Sequence, residues 1–489
     1  MIRPLSFPHN IEYKEFRIGR ELVLLDVATS NFFYVEPVVR DILRIGRKMD
    51  KEGLLRRLAK YSTSEINSAL KALKRYRGRG IFLDKEDLGP LRPPPLNGVM
   101  LTLSVADDCN LACRYCYAKD HLMSKLYMTK QIGRKSIDFL LSYMGEAKFA
   151  YIRFFGGEPL LNFPVIKETI LYARSRFKRA KKQVVFRIST NGTLINRQNI
   201  DFFKQHGVKL YVCIDGPAEV HNFHRPFTNG KGSYEAIVEK LRYLRELPSQ
   251  DLEALFILSP FNVGRCREIF HHLRSLGFPT ITFQPCFWSC SPGFNLGQAE
   301  FAEMKRQYRL LLKDLSGSAQ IELAAHLSLI QFGLVSRPEG CGLGRSVITI
   351  DPVGDIYACH RLQGDPRLKI GNLKTGIDPK LQAYFSLRTC ETNPTCRGCW
   401  ARLLCGGGCI YENLRIAGAQ DLIPPHYCKY IKFFIRFNLE YMLSLSRGNL
   451  KEAPPRTEDR YGYKEVKGDE QKGKEKGLHQ ARNSKVRKT

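Results

Sequence analysis

Cysteine is absent from the first 108 residues of this 489-residue chain. That stretch can hold neither a thiolate metal site nor a disulfide. Carboxylates are short as well: 77 Lys and Arg stand against 48 Asp and Glu, a formal net charge of +29. Such a field favours anionic partners, whether nucleic acid, acidic peptide or anionic lipid. No apolar run approaches the roughly 20 residues that span a bilayer, and the best candidate, 433–445, is broken by Arg436 and Glu440. Met1–Asn10 has no apolar core and no small-residue cleavage site, so a cytoplasmic location with no membrane contact is expected. No internal repeat sets a solenoid period. What remains is ample for folding. Hydrophobic residues make up 43% and charged residues 26%, which excludes a disulfide miniprotein and a wholly unstructured chain, and the length allows about three domains.

The 15 cysteines cluster. Cys109, Cys113 and Cys116 arrive together as C-x3-C-x2-C; Cys213, Cys266, Cys286 and Cys290 are scattered; eight more lie from Cys341 to Cys428. In a cytoplasmic chain this usage points to metal or redox chemistry. Three thiolates within eight residues can reach one centre, and a fourth nearby thiol is absent. A four-iron cluster normally takes a cysteine on each iron, so three cysteines would leave one iron open. A zinc loop completed from elsewhere is the alternative on spacing alone.

Short β-rich runs at 99–105, 150–155, 184–190, 208–214, 255–258 and 281–284 alternate with helical patterns at 130–144, 163–176, 199–206, 234–247 and 265–276. Six strands alternating with helices predict a parallel α/β sheet in an incomplete barrel. The unusual motifs each follow a strand: the cysteine loop, Gly156-Gly157-Glu158-Pro159, Ser189-Thr190-Asn191-Gly192, and Asp215-Gly216-Pro217. In such barrels the loops after the strands converge on one rim and build the active site.

Cys109-x3-Cys113-x2-Cys116 with Gly156-Gly157-Glu158-Pro159 resembles the radical S-adenosylmethionine (SAM) enzymes over about residues 97–300. The resemblance implies a partial (β/α)6 TIM-like barrel in which the three cysteines hold a 4Fe-4S cluster and its open iron chelates SAM. Reductive cleavage of SAM would yield a 5′-deoxyadenosyl radical that abstracts a substrate hydrogen. It also implies roles for single residues. Tyr115 would pack near the adenine or serve as a wall. Gly156, Gly157 and Glu158 would form the ammonium site, with Gly157 and Glu158 accepting from it, and Pro159 would rigidify that turn. Ser189 and Asn191 would bind ribose or carboxylate, with Asp215 and Arg225 as further cofactor candidates, Arg225 by forking onto the carboxylate. Cys213 and Cys266 read as buried small hydrophobes.

In the second block, Gly354-x4-Cys359 follows Cys341, and Cys396-x2-Cys399-x5-Cys405-x3-Cys409 precedes Cys428. Zinc ribbons are one reading of such spacing. The block resembles the SPASM extension of peptide-modifying radical enzymes over about 335–430, which implies two auxiliary 4Fe-4S clusters and three in all. On that resemblance Cys396, Cys399, Cys405 and Cys428 hold the outer cluster, and Cys341, Cys359 and Cys409 hold the inner one. Sulfatase-maturing members carry one more cysteine shortly before the position of Cys341, where this chain has 335–340 without cysteine. The inner cluster is then expected to keep an open iron for a substrate thiolate, or to borrow Cys286, Cys290 or Cys390. Those members also place an aspartate after the equivalent of Cys359. Here His360-Arg361 stands instead and resembles thioether-forming maturases, with His360 the candidate proton acceptor.

Residues 1–95 read as three short strands (12–17, 21–26, 32–35) and three helices (37–45, 52–61 and one after the capping box Ser62–Glu65). This winged-helix-like α+β layout resembles the recognition domain of ribosomal-peptide maturases, which implies binding of a precursor's leader by strand addition. Nucleic acid is the lesser expectation for its basic helices. The expected domains are 1–95 for recognition, 97–320 for the radical SAM core, 330–445 for the SPASM region and 446–489 for a basic, disordered tail. The function expected is a radical SAM peptide maturase forming a Cys sulfur-to-carbon thioether, served by a reductant such as flavodoxin or ferredoxin. The alternatives are formylglycine formation on sulfatases and, outside catalysis, a DNA-binding iron–sulfur sensor.

Overall fold

The computed structural model describes residues 11–45, 51–83, 95–122, 124–289, 291–315, 340–386, 390 and 392–446. The tail after 446, Cys290 and the segment 335–339 lie outside the described residues.

The first strands, β1 (Tyr13–Ile18), β2 (Glu21–Asp26) and β3 (Asn31–Tyr34), form an antiparallel sheet in the order β1-β2-β3. Helices Pro37–Ile45, Lys51–Arg57 and Thr63–Arg77 follow. The second is shorter than the sequence pattern suggests. The third begins at Ser62, whose side chain accepts from the Glu65 amide while Glu65 reaches back, a reciprocal cap. Strand β2 explains its own apolar run, because successive residues point to opposite faces. Leu24 packs with Ile42, Leu58 and Phe82 under the helices, whereas Val23 and Leu25 join the main core. On that second face the Phe16 ring meets Trp400 edge-on at 5.3 Å, and Glu12 pairs with Arg402. The small sheet is therefore held between its own helices and the cysteine-rich region.

Six parallel strands follow: β4 (Gly98–Ala106), β5 (Phe149–Gly156), β6 (Gln183–Thr190), β7 (Val208–Cys213), β8 (Leu252–Leu258) and β9 (Thr280–Pro285). Each pairs with the next in sequence, and β9 ends the sheet, so the barrel is open. Ile152, Phe154, Phe186, Ile188 and Leu210 are buried in the main core with the helices. The 234–247 helix is two pieces, Tyr234–Val238 and Leu241–Leu244, because Lys240 and Tyr243 donate three residues back, to Ile237 and Lys240, and tighten the turn.

The cysteine-rich region adds strands that sequence reading did not anticipate. β10 (Val347–Ile350) pairs parallel to β4, and β11 (Asp355–Tyr357), β12 (Lys369–Asn372) and β13 (Gly376–Ile377) continue antiparallel, giving a ten-stranded sheet. This places the segment around Cys359 at the open edge of the barrel beside β4. Among the described residues no helix is long and apolar enough to cross a membrane.

Candidate active site

The loop after β4 carries Cys109, Cys113 and Cys116, and it is pinned from one side by the loop after β7. Ala112 donates to the Pro226 carbonyl at 2.8 Å, Arg114 to His224 at 2.9 Å, and Thr228 to Asn110 at 3.2 Å. From the other side comes the loop after β5, and here glycine is obligatory. Gly156 has φ +135°, and a Cβ there would lie 2.2 Å from the Ala106 carbonyl oxygen. A Cβ on Gly157 would lie 2.1 Å from the Asp108 oxygen. The close approach lets Gly157 donate to Ala106 and Glu158 to Asp108, both at 2.8 Å. Pro159 then opens a short 3-10 turn, Pro159–Asn162.

The thiols feel one another. Burial pushes the Cys109 thiol well up, and Cys113, Glu158 and Cys116 push it further. Burial also raises Cys113, against the pull of Arg225. Donors already point at two of the sulfurs: Leu111 N–H (3.5 Å) and Asn191 Nδ2 (3.9 Å) at Cys109 Sγ, and Arg225 Nη1 (3.8 Å) at Cys113 Sγ. Among the described residues no three His, Cys, Asp or Glu side chains converge as a single-ion site requires. Three cysteines in one loop, two of them facing N–H donors, are a donor set that a thiolate-held cluster takes. The residues present thus fit a 4Fe-4S group, since buried thiols that resist ionisation alone are stabilised as thiolates by iron and by N–H donors.

Several side chains are engaged otherwise than the sequence suggests. Glu158 is fully buried, and burial lifts its carboxyl to about 7. It accepts from Leu160 N (2.9 Å), Thr190 Oγ1 (2.7 Å) and Asn191 N (2.7 Å). Of about four acceptor sites on a carboxylate, three are thus taken within the protein. Asn191, expected at ribose or carboxylate, has its amide taken up within the protein: Nδ2 donates to Asn110 (2.8 Å) and towards Cys109, and Oδ1 accepts from Thr193. It links two loops and a thiol. Asp215 is likewise committed. It receives the Tyr115 hydroxyl, Arg225 Nε at 2.9 Å and Ile257 N at 3.0 Å. Arg225, expected to fork onto a carboxylate, spends Nε on Asp215 and turns Nη1 to Cys113. Tyr115 is buried, with its ring 5.2 Å from the Arg225 guanidinium. The three fix the wall beneath the cysteine loop. Ser189 is buried at the end of β6.

Cys213 differs from expectation. It is only partly buried, its thiol is raised to about 11 by burial, and it feels Arg225, Asp215, Glu158 and Cys113. It therefore faces this site. Its place at the end of β7, two residues before Asp215, is the signal that sequence reading passed over. Cys266 is fully buried.

The second block gathers into two groups. Cys359 and Cys409 both feel Cys341. Cys405 feels Cys428 and Cys399, and Cys428 feels Cys399. Cys396 is buried at 6% exposure, one turn before Cys399, whose amide donates to its carbonyl at 2.8 Å. Gly406, Gly407 and Gly408 all have positive φ, a run that turns the Gly407 and Gly408 amides onto the Cys405 sulfur. Cys286 packs with Tyr115, Phe294 and Cys113, and Cys390 is buried.

His360 does not suit the proton-acceptor role. Its Nδ1 faces Arg153 Nη2 at 2.8 Å. A guanidinium only donates, so that nitrogen must accept and the ring is neutral. Burial, with Arg153 and Arg361 beside it, holds its pKa well below the usual imidazole range. His360 is instead a link between the barrel and the segment around Cys359. Next to it Arg361 pairs with buried Glu412 at 2.7 Å and stacks 3.9 Å from the Tyr411 ring centroid.

Residues 103–258 match the Radical SAM superfamily. The serine-type anaerobic sulfatase-maturating enzyme of Klebsiella aerogenes is 25% identical over 366 residues, covering 69% of this chain and 85% of that one. An uncharacterized protein of Methanocaldococcus jannaschii is 27% identical over 309 residues, covering 62% and 94%. Among solved structures, native anSMEcpe with bound AdoMet and Cp18Cys peptide superposes with a TM-score of 0.59 at 19% identity, covering 73% of this chain and all of that one; this likeness concerns the fold.

Proposed function

We propose that this chain, whose residues 103–258 match the Radical SAM superfamily, is a maturase that cleaves SAM and modifies a ribosomally made precursor peptide. The observation that carries this reading is the rim itself: three neighbouring thiols, of which Cys109 feels both others, stand against the Gly156–Gly157 turn and the buried Glu158 carboxyl. When bound, the cluster and SAM supply a 5′-deoxyadenosyl radical. Cys109, Cys113 and Cys116 hold the cluster. Asn191 and Arg225 donate to its thiolates, Gly157 and the spare acceptor site of Glu158 receive the methionyl ammonium, and Ser189 lies at the rim for ribose or carboxylate. Tyr115, Asp215 and Arg225 act as one positioning unit.

In the same reading Cys396, Cys399, Cys405 and Cys428 hold an outer auxiliary cluster, and Cys341, Cys359 and Cys409 hold an inner one, so the protein carries three clusters. Residues 97–320 are the core, 330–445 the auxiliary domain and 1–95 the leader-binding domain. Both β1 and β3 are edge strands of the small sheet, and the leader strand is assigned to the outer edge of β3, whose Tyr34 is 44% exposed. A flavodoxin or ferredoxin supplies electrons. The product bond would be a Cys sulfur-to-carbon thioether: the carbon's hydrogen would leave in 5′-deoxyadenosine, the substrate thiol would lose its proton, and the electron released as the C–S bond forms would return through the auxiliary clusters, the inner one held by Cys341, Cys359 and Cys409.

A second reading, formylglycine formation, is favoured by the names of relatives such as the Klebsiella aerogenes protein. Two measurements separate these readings. Anaerobically reconstituted protein with dithionite should form 5′-deoxyadenosine; none formed refutes both. A thioether product has lost its free thiol and shows no aldehyde, whereas formylglycine reacts with hydrazides.

A further inference from the structure

Four arginines stand around the proposed site, and two of them make no ion pair among the described residues. Arg225 has Asp215 at 2.9 Å and Arg361 has Glu412 at 2.7 Å. Arg153 on β5 and Arg187 on β6 have no such partner among the described residues. They are register partners on adjacent parallel strands, and their contacts put both on the inner face. Arg153 donates to Thr102 on β4 at 3.1 Å and to His360. The Arg187 guanidinium lies 3.5 Å from the Tyr211 ring centroid on β7 and 5.1 Å from that of Tyr151. The Nε of each is buried with no hydrogen-bond partner. Glu253 on β8 is the carboxylate near Arg187, but it is bonded to Thr282 and Tyr211. Burial lowers the Arg153 pKa, Tyr117, Cys359 and Tyr151 work against that, and the Arg187 charge adds to it.

Two neighbouring guanidiniums on the inner face, each with an orphaned buried Nε donor, favour an anion that joins them. The inner-cluster thiolates lie on the Arg153 side, since Arg153 feels Cys359. Arg187 sits one strand further from that edge. Guanidinium forks match a carboxylate in shape and charge, and the stacked tyrosine holds one fork in place. We propose that Arg153 and Arg187 form a specificity pocket for a carboxylate of the substrate peptide, from an acidic side chain or from the C-terminus. The inference rests on the peptide-maturase reading above and names the substrate feature that reading leaves open.

The test uses the full chain, reconstituted anaerobically with SAM, and four peptides of one Gly/Ser frame: blocked at both ends with a central Glu, the same with Gln, the same with Lys, and a Gln peptide with a free C-terminus. Binding is read by calorimetry. The Glu peptide, the free-terminus peptide or both should bind on the order of tenfold tighter than the blocked Gln peptide, and whichever does identifies the source of the carboxylate. Arg187→Met should remove that preference and Arg187→Lys keep part of it, with SAM affinity unchanged. No preference for either carboxylate peptide in the wild type overturns the proposal. So does a preference that survives Arg187→Met, or one lost together with SAM affinity, which would assign the pocket to the cofactor. Formation of 5′-deoxyadenosine in the same preparation reports on the maturase reading separately.

Discussion

Replacing Gly157 by alanine should disable the cysteine loop while leaving the rest of the fold in place. The new Cβ would sit 2.1 Å from the Asp108 oxygen, 2.6 Å from its carbonyl carbon and 3.0 Å from Cys109 Cβ. The obstacles are backbone, so no rotamer change relieves them. The two loops must part by about 1 Å to reach ordinary contact, and the Glu158 N–H bond to Asp108, now 2.8 Å, lengthens or breaks. Overpacking of this kind costs about 1–3 kcal/mol, and a lost internal hydrogen bond adds about 1 kcal/mol. A total of about 2–4 kcal/mol lowers the melting temperature by several degrees. The larger effect falls on chemistry. Displacing Cys109 by about 1 Å from the ammonium site should reduce 5′-deoxyadenosine formation on the order of a hundredfold. Gly293→Ala is the control, because nothing lies within 4 Å of its Cβ position. The assay pairs a thermal melt and an iron count with the rate of nucleoside formation after dithionite. A Gly157→Ala protein that keeps iron, melting point and rate within twofold of Gly293→Ala contradicts the role given to this contact.

Other outcomes are expected on the same reasoning. Asp215→Asn strips a buried guanidinium of its partner, which costs about 3–5 kcal/mol; the melt should fall sharply while iron content stays, and an unchanged melt would show that Arg225 finds another anion. Of the roughly twelve irons that the three proposed clusters would hold, Cys396→Ala should lose about four yet still form 5′-deoxyadenosine, whereas Cys113→Ala should abolish it; equal losses in both would unite the two cysteine blocks. Burial alone would raise the Asp41 carboxyl, but hydrogen bonds from Lys60, Tyr61 and Arg40 outweigh it and bring it from 3.8 to about 2. A carboxylate lowered on folding stabilises the fold above its unfolded value and loses that contribution as pH falls through the folded value. Between about pH 4 and pH 2 the wild type should therefore lose stability more steeply than Asp41→Asn, as read by urea melts; parallel curves would remove Asp41 from the acid response.

The six barrel strands were legible because each is a short apolar run closed by a turn motif, and β4 to β9 appear near the expected positions. The small strands β10 to β13 were not, since runs of two to four residues such as Val347–Ile350 carry too little periodicity to stand out between cysteines. Motif spacing located the rim but could not assign side-chain partners. The bonds from Tyr115 to Asp215 and from Arg153 to His360 join residues 100 and 207 positions apart, and they decide that Asp215, Arg225 and His360 are engaged with protein. Arg153 and Arg187 did leave a trace. Each is a charged residue at an alternate position within a buried strand, flanked by Ile152 and Phe154 or by Phe186 and Ile188, a pattern that marks an inward-facing polar group.

The proposal that Cys109, Cys113 and Cys116 hold a cluster with one open iron is tested most directly by electron paramagnetic resonance of the dithionite-reduced protein before and after SAM is added. Coordination of the amino acid end of SAM should shift the signal of one cluster and leave the auxiliary signals unchanged, and Cys113→Ala should abolish the shift. A wild-type spectrum indifferent to SAM, in a preparation with its full iron, contradicts the assignment.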